Sequence, residues 1–377
     1  MKNDSRNFSR SSNRFVKLKR KPRGSSRKHS NAINGRSPKF QAVPLIQLNA
    51  DHPAEPNDIP FRGLLSCNSA TEVDNLHAKW WGLFNVKARK ALRAGVVAED
   101  RTVVEALLTQ PGATSRPMQT SESVCREAFH VVRDGLVAAS AANPGLEMGL
   151  VTFISGDGGT SHFHTEIDLC GSRKKVLAAL RAMARNFFGV TELALFNSQG
   201  HPNGGQMVQR HEHALIWGPD GTLQKAQSVA AKHAERFTPN FSGAPIIDVK
   251  LVACDPVNLA RITAYLFKPP YKCMNWNPGK DGKPGRMNGS EKGDRAIRYL
   301  RLAMIRTMMP FEDACFGSGE GQRLRSAMIK FVRALATREA ANGRAVLHPD
   351  AVASFWVKLM PQIKADRWNL PIIKTSE

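Results

Sequence analysis

A chain of 377 residues with 42% hydrophobic residues has enough apolar mass for a sizeable core, and no run in it approaches the ~18 apolar residues of a membrane helix. Lys+Arg number 54 against 32 Asp+Glu, a net charge of +22 that attracts polyanions, nucleic acid first among them. The six cysteines contain no C-x-x-C pair; this argues against a zinc ribbon or a disulfide framework and makes a reducing cytoplasm the simplest home.

Residues 1–40 carry 13 Lys/Arg against one Asp, a net +12 of the +22. Ser, Asn and Gly fill the gaps, so this stretch reads as a disordered basic arm that tracks phosphate. No apolar h-region marks a secretory signal, although an Arg/Ser-rich, acid-poor start is also compatible with a mitochondrial transit peptide. A Pro-rich linker follows at 41–69 (Pro44, Pro53, Pro56, Pro60). Residues 70–146 form a helical accessory region, with helices at Val86–Ala94 and Ser121–Ala141 broken by a loop near Pro111–Pro117.

From residue 147 the pattern changes. Met148–Ser155 is a short β-forming run ahead of Gly-Asp-Gly-Gly, hence a strand. Ser172–Phe188 has helical spacing at Val176, Leu177, Leu180 and Met183 and stops at Gly189. Thr191–Asn197 and Met207–Trp217 are strands joined by a turn-rich loop at Gly200–Gly205, a β-hairpin. Leu223–Phe237 is helical and Ile246–Val252 is a strand. Asp255 as N-cap and Pro256 at the first helical position then open a helix. The order β-α-β-β-α-β-α predicts an α+β fold with an antiparallel sheet and helices on one face. Residues 274–295 read as a Gly/Pro/Lys loop and 296–377 as a C-terminal helical region (Ala296–Met308, Gly321–Asn342, Asp350–Ile363).

Chemistry concentrates in the hairpin and the helix after it. His211 and His213 sit at i and i+2 on a strand and share a face, where two imidazoles can hold a divalent metal. A second H-x-H pair, His162 and His164, lies outside the hairpin and is the weaker candidate. Downstream, Arg261, Tyr265 and Lys268 fall on one helical face, opposite Leu259, Ile262 and Leu266. Tyr265 is one of three tyrosines and begins Y-x-x-K-x-x-x-K, completed by Lys268 and Lys272. Pro269-Pro270 ends this helix just after Lys268.

These pieces, in this order over residues 147–273, resemble the HUH endonuclease superfamily, in particular the rolling-circle replication initiators of plasmids and phages. The resemblance implies a split βαβ core with flanking helical segments and a catalytic domain at 147–273. It also implies nicking and resealing of single-stranded or origin DNA by Tyr265, through a 5′-phosphotyrosine that frees a 3′-OH for a polymerase. It makes Lys268 and Lys272 catalytic, Tyr271 a possible second nucleophile, and His211 and His213 ligands of Mg²⁺ or Mn²⁺. The third ligand in such proteins is an acidic residue or Gln. Glu192, which folding about Asn203 brings opposite His213, is preferred over Gln199, Gln209 and Glu166. Two departures stand out: the residue between the histidines is Glu212 rather than a bulky apolar one, and the prolines cut the helix short. Glu212 points to the other sheet face, where Arg210 can pair with it.

No G-x-x-x-x-G-K-[ST] occurs, so a host helicase is implied, in a bacterial cytoplasm and with no membrane partner. Alternatives are a single-tyrosine transposase or a relaxase of the same superfamily, a metal-dependent nuclease that activates water, and a non-catalytic basic nucleic-acid-binding protein.

Overall fold

The computed structural model describes residues 63–95, 105–106, 117, 119–161, 170–198, 205–239, 245–269, 273–277, 286–289, 303, 306 and 309–342. In chain order the elements are α1 (Ala70–Gly95), α2 (Glu122–Ala142), β1 (Glu147–Phe153), β2 (Gly159–Ser161), α3 (Cys170–Met183), β3 (Asn186–Ser198), β4 (Gly205–Gly218), α4 (Thr222–Ala234) and β5 (Ile247–Val252). After these come α5 (Pro256–Leu266), β6 (Cys273–Asn277), β7 (Arg286–Gly289), α6 (Phe311–Ala314), β8 (Cys315–Ser318) and α7 (Glu320–Ala341).

The fold is α+β. The sheet runs β5-β1-β4-β3-β6-β7, with β2 beside β4 and β8 beside β3. Strands β5, β1, β4, β3 and β8 pair antiparallel throughout. Strand β6 runs parallel to the far end of β3 and antiparallel to β7. The middle strands have neighbours on both edges, so their Val, Ile, Leu and Phe side chains are buried on both faces, as β-formers prefer.

Strand alternation sorts these side chains into two cores. Met148, Leu150, Phe188, Val190, Leu215 and Trp217 join Trp81, Phe84, Phe129, Leu136, Leu259, Ile262 and Met328 of α1, α2, α5 and α7. On the reverse face Val151, Phe153, Phe187, Ala214 and Ile216 meet Val176, Leu180, Met183, Leu223 and Ala226 of α3 and α4. Helices therefore cover both faces, not one, because β1, β3 and β4 offer apolar side chains at odd and even positions alike. Residues 70–146 and α7 share a hydrophobic cluster with the sheet. No helix among the described residues is long and apolar enough to cross a membrane.

Three further expectations change. The helix predicted to run to Phe188 ends at Met183, and Asn186–Gly189 already belong to β3. Phe187 and Phe188 are 0% exposed, one on each face, a partition that only a strand achieves. Gly189 is not a helix stop: a Cβ there would meet the Phe316 ring at 2.2 Å, so glycine lets β8 lie against β3. The segment read as the loop 274–295 contains most of β6 and all of β7; their propensity is modest, and pairing onto the open end of β3 creates them. The arm 1–40, most of the linker 41–69 and the predicted helix Asp350–Ile363 lie outside the described residues.

The start of α7 presses on β3. A Cβ on Gly321 would stand 1.7 Å from the Phe187 carbonyl oxygen, backbone against backbone, whereas a Cβ on Gly82 in α1 meets nothing within 4 Å. Gly321→Ala is expected to cost about 3 kcal/mol through overpacking, lowering the urea midpoint. Gly82→Ala in the same assay is expected to be neutral or to stabilise by up to about 1 kcal/mol.

Candidate metal and tyrosine site

Strand β4 lies between β1 and β3, which fixes its side chains from both edges. His211 and His213 have the parity of Leu215 and Trp217, so they point toward α5. They are 9% and 4% exposed, with ring centroids 6.3 Å apart. On β3, Glu192 stands directly across from His211, while His213 faces Val190. The sequence places Glu192 opposite His213; the hairpin is centred one residue earlier, because the long apolar ladder sets the register rather than the turn. Glu192 nonetheless reaches His213 diagonally: its Oε2 lies 2.9 Å from Nε2. One nitrogen from each histidine and a Glu192 oxygen all fall within 4.8 Å of one another. This cluster can hold a metal ion, since two imidazoles and a carboxylate form a mixed N/O donor set suited to divalent cations.

The far side of His213 is also held. Thr152 is its cross-strand neighbour on β1, and Thr152 Oγ1 lies 3.1 Å from His213 Nδ1. A hydroxyl both donates and accepts, so it can orient the ring whether Nε2 carries a proton or a metal.

Helix α5 begins as its sequence dictates: Asp255 accepts from the Val257 and Asn258 amides at 3.0 Å each, with Pro256 at the first position. It ends at Leu266, two residues before the expected stop, and Lys268 follows it in extended chain. Lys268 is 6% exposed. Its Nζ is 2.6 Å from Glu192 Oε2 and 3.6 Å from the centroid of the Tyr265 ring. Tyr265, half-buried, meets the His213 ring edge-on at 5.2 Å. The structure thus brings together Glu192, His211, His213, Tyr265 and Lys268.

Electrostatics follow from this packing. Burial pushes the Glu192 carboxyl up, but the Lys268 ammonium, the hydrogen bond from His213 and the charge of both imidazoles hold it well below the usual carboxylate range. On the reverse face Glu212 pairs with Arg210 at 2.9 Å, as expected. Burial nevertheless raises its pKa, against the opposing pull of Arg210 and Arg173. Glu212 is therefore kept from the metal cluster by strand parity.

Other predicted residues go elsewhere. Arg261 turns away from Tyr265 and donates to Asn258 Oδ1 at 2.8 Å, to Leu65 O at 3.4 Å and to Cys67 O, so it ties α5 to the turn before α1. A helical wheel cannot anticipate this, because the partners lie nearly two hundred residues upstream. Gln209 is 0% exposed and donates to Ser155 O at 2.7 Å, bridging strands instead of joining the cluster. Tyr271, Lys272, His162, His164, Glu166 and Gln199 lie outside the described residues.

Sequence reasoning missed His77 and Thr152. Cross-strand pairing of β1 with β4 would have exposed Thr152; a lone histidine in an apolar helix carries no such signal. His77 on α1 is 0% exposed, and its Nε2–H donates to the Phe267 carbonyl at 2.9 Å. The Phe267 ring lies between Phe188 and Phe311, with centroids 6.2 and 6.1 Å away. Ring and carbonyl together fix the residue before Lys268. No protein-family model, curated protein or solved structure matches this chain.

Two outcomes are expected. In calorimetric titration with Mn²⁺, His211→Ala, His213→Ala and Glu192→Ala should each lose affinity at least about tenfold, whereas Gln209→Ala should retain it. The second concerns acid. Burial lowers the His77 pKa to about 4 from 6.5, so between those values the unfolded chain takes a proton that the fold resists. Stability should therefore be complete above pH 6.5 and fall as pH drops through that window, by about 2 kcal/mol at pH 5. Urea unfolding at pH 7 and pH 5 should show this loss in the wild type and not in His77→Gln.

Proposed function

We propose that this protein is a metal-dependent DNA endonuclease and strand transferase of the HUH type, which nicks single-stranded origin DNA to initiate rolling-circle replication. The observation that carries the reading is the Tyr265 ring, 5.2 Å from an imidazole of a three-residue metal-binding cluster and 3.6 Å from an ammonium. A tyrosine, a cation and two histidines beside a carboxylate are what attack on a phosphodiester requires. The net charge of +22 supports a polyanionic substrate.

In the step proposed, the Tyr265 phenol oxygen bonds to phosphorus and the P–O3′ bond breaks. The phenol proton is lost to solvent, and the departing O3′ takes up one proton. A 5′-phosphotyrosine and a free 3′-OH result. Mg²⁺ or Mn²⁺ held by His211, His213 and Glu192 would supply positive charge to offset that on the phosphate. Lys268, seated on the ring face, lowers the cost of negative charge on the phenol oxygen. The phosphotyrosine retains the energy of the diester, so return attack by a 3′-OH reseals the strand without a nucleotide cofactor. The free 3′-OH suits a host polymerase, with unwinding left to a host helicase.

Covalent capture tests this. Full-length protein, Mn²⁺ and single-stranded origin oligonucleotides should give a protease-sensitive shifted band on a denaturing gel. The band should vanish with EDTA and in Tyr265→Phe, and weaken at least about a hundredfold in Lys268→Met. Cleavage without an adduct would identify a water-activating nuclease; tight binding with neither would leave a basic nucleic-acid-binding protein.

A further inference from the structure

Arg306 is the buried cation that the chemistry above does not use. It is 4% exposed, and its Nε and Nη1 are buried without a hydrogen-bond partner. Folded proteins pair such groups almost without exception, so an unsatisfied guanidinium needs a physical reason. Two acidic groups lie within its electrostatic reach, Cys125 and Glu192. Burial pushes the Cys125 thiol far up, and that thiol donates to the Gln119 carbonyl at 3.0 Å, so it is neutral and engaged. The Glu192 carboxylate already holds Lys268 at 2.6 Å and His213 at 2.9 Å on one oxygen.

One carboxylate therefore faces two permanent cations, Lys268 and Arg306, before any metal is counted. A dication raises that surplus further. The charge that would balance it is an anion from outside the chain. Its chemical class follows from the fork of N–H groups, which matches the oxygens of a phosphate. Arg306 adjoins the cluster on its own terms: Ala303 and Arg306 lie in helical backbone, and the Arg306 carbonyl accepts from the Met309 amide at 3.0 Å. That position, more than ninety residues beyond His213, brings the C-terminal part of the chain to the same centre.

We propose that Arg306 is a phosphate-binding residue of this site, its unpaired N–H groups receiving the non-bridging oxygens of the DNA phosphate that Tyr265 attacks. The inference rests on the nicking reaction proposed above. It adds a residue that the H-x-H and Y-x-x-K patterns do not contain.

The test uses full-length wild type, Arg306→Met and Arg306→Lys, with three readouts: melting temperature against inorganic phosphate, Mn²⁺ affinity, and rate of covalent adduct formation. Arg306→Met is expected to melt at or above the wild-type temperature and to bind Mn²⁺ normally. It should lose the phosphate-induced rise in melting temperature and form adduct about a hundredfold more slowly or worse. Arg306→Lys, which keeps the charge without the fork, should recover part of both.

A phosphate-induced rise and an adduct rate both unchanged in Arg306→Met would overturn the inference while leaving the nicking reaction intact. If the wild type itself forms no adduct, the nicking reaction falls and the phosphate readout decides the anion site alone. A rise lost in Arg306→Met then sustains it; no rise in the wild type, or one kept in full by the variant, overturns it. Failure of Arg306→Met to fold, with Arg306→Lys normal in every readout, would show a purely structural cation and also overturn it.

Discussion

The Glu192 carboxylate, with both an ammonium and an imidazole on one oxygen and a side chain only 18% exposed, is expensive to assemble. Desolvating such charges costs several kcal/mol per ion, and the attraction between them recovers this only when geometry and hydrogen bonds are nearly complete. The surroundings read as the means of completing them. Strand β3 carries the carboxylate, β4 the imidazole, β1 the Thr152 hydroxyl behind that imidazole, and the chain after α5 the ammonium. Removing any one would leave a buried group without its partner. The helical layer of α1, α2 and α7 then has a definite task, which is to close over α5 so that Lys268 cannot swing into water.

How α5 is closed explains a departure from the expected helix. A helix continuing past Lys268 would have carried that side chain around the axis with Tyr265. Ending at Leu266 instead, the chain turns into the core at Phe267, whose ring is caught between Phe188 and Phe311 and whose carbonyl is caught by His77. Pro269 cannot continue a helix. Lys268 is thereby aimed across the Tyr265 ring and onto Glu192, two contacts made by one ammonium. The Pro-Pro pair looked like a defect in the pattern; in the structure it stands where the lysine must leave the helix.

Much of the site was legible because strand periodicity is strict. The i, i+2 spacing of His211 and His213, the opposite parity of Glu212 and its pairing with Arg210 all follow from alternation alone. The N-cap at Asp255 was equally readable, being local. What failed was whatever depends on distant partners. The register of β3 against β4 moved Glu192 from His213 to His211. Arg261 found carbonyls at Leu65 and Cys67. Strands β6 and β8 exist because β3 has edge to offer, and Phe187-Phe188 looked helical until both faces of the sheet were known to be apolar. His77 could not have been distinguished from any other buried histidine, since its function lies wholly in a carbonyl 190 residues away.

The two faces of β4 also separate two kinds of charge. On one, Arg210 and Glu212 form an ion pair closed on itself, with Arg173 reaching across from α3 to Thr191 at 2.9 Å. Its charges are balanced among neighbours, so that face asks for nothing further and serves to hold the strand still. On the other, Glu192 is shared by Lys268 and the histidines, and the nearby Arg306 adds a second permanent cation. Both sets depend on the backbone of one strand, so the balanced face fixes the positions of the unbalanced one. A site built for a doubly charged metal and a passing phosphate needs that asymmetry: were the front face neutral by itself, metal and phosphate would have to break an existing pair to enter. Here the surplus of positive charge draws the phosphate, and the single carboxylate keeps the surplus low enough for the fold to tolerate before the phosphate arrives.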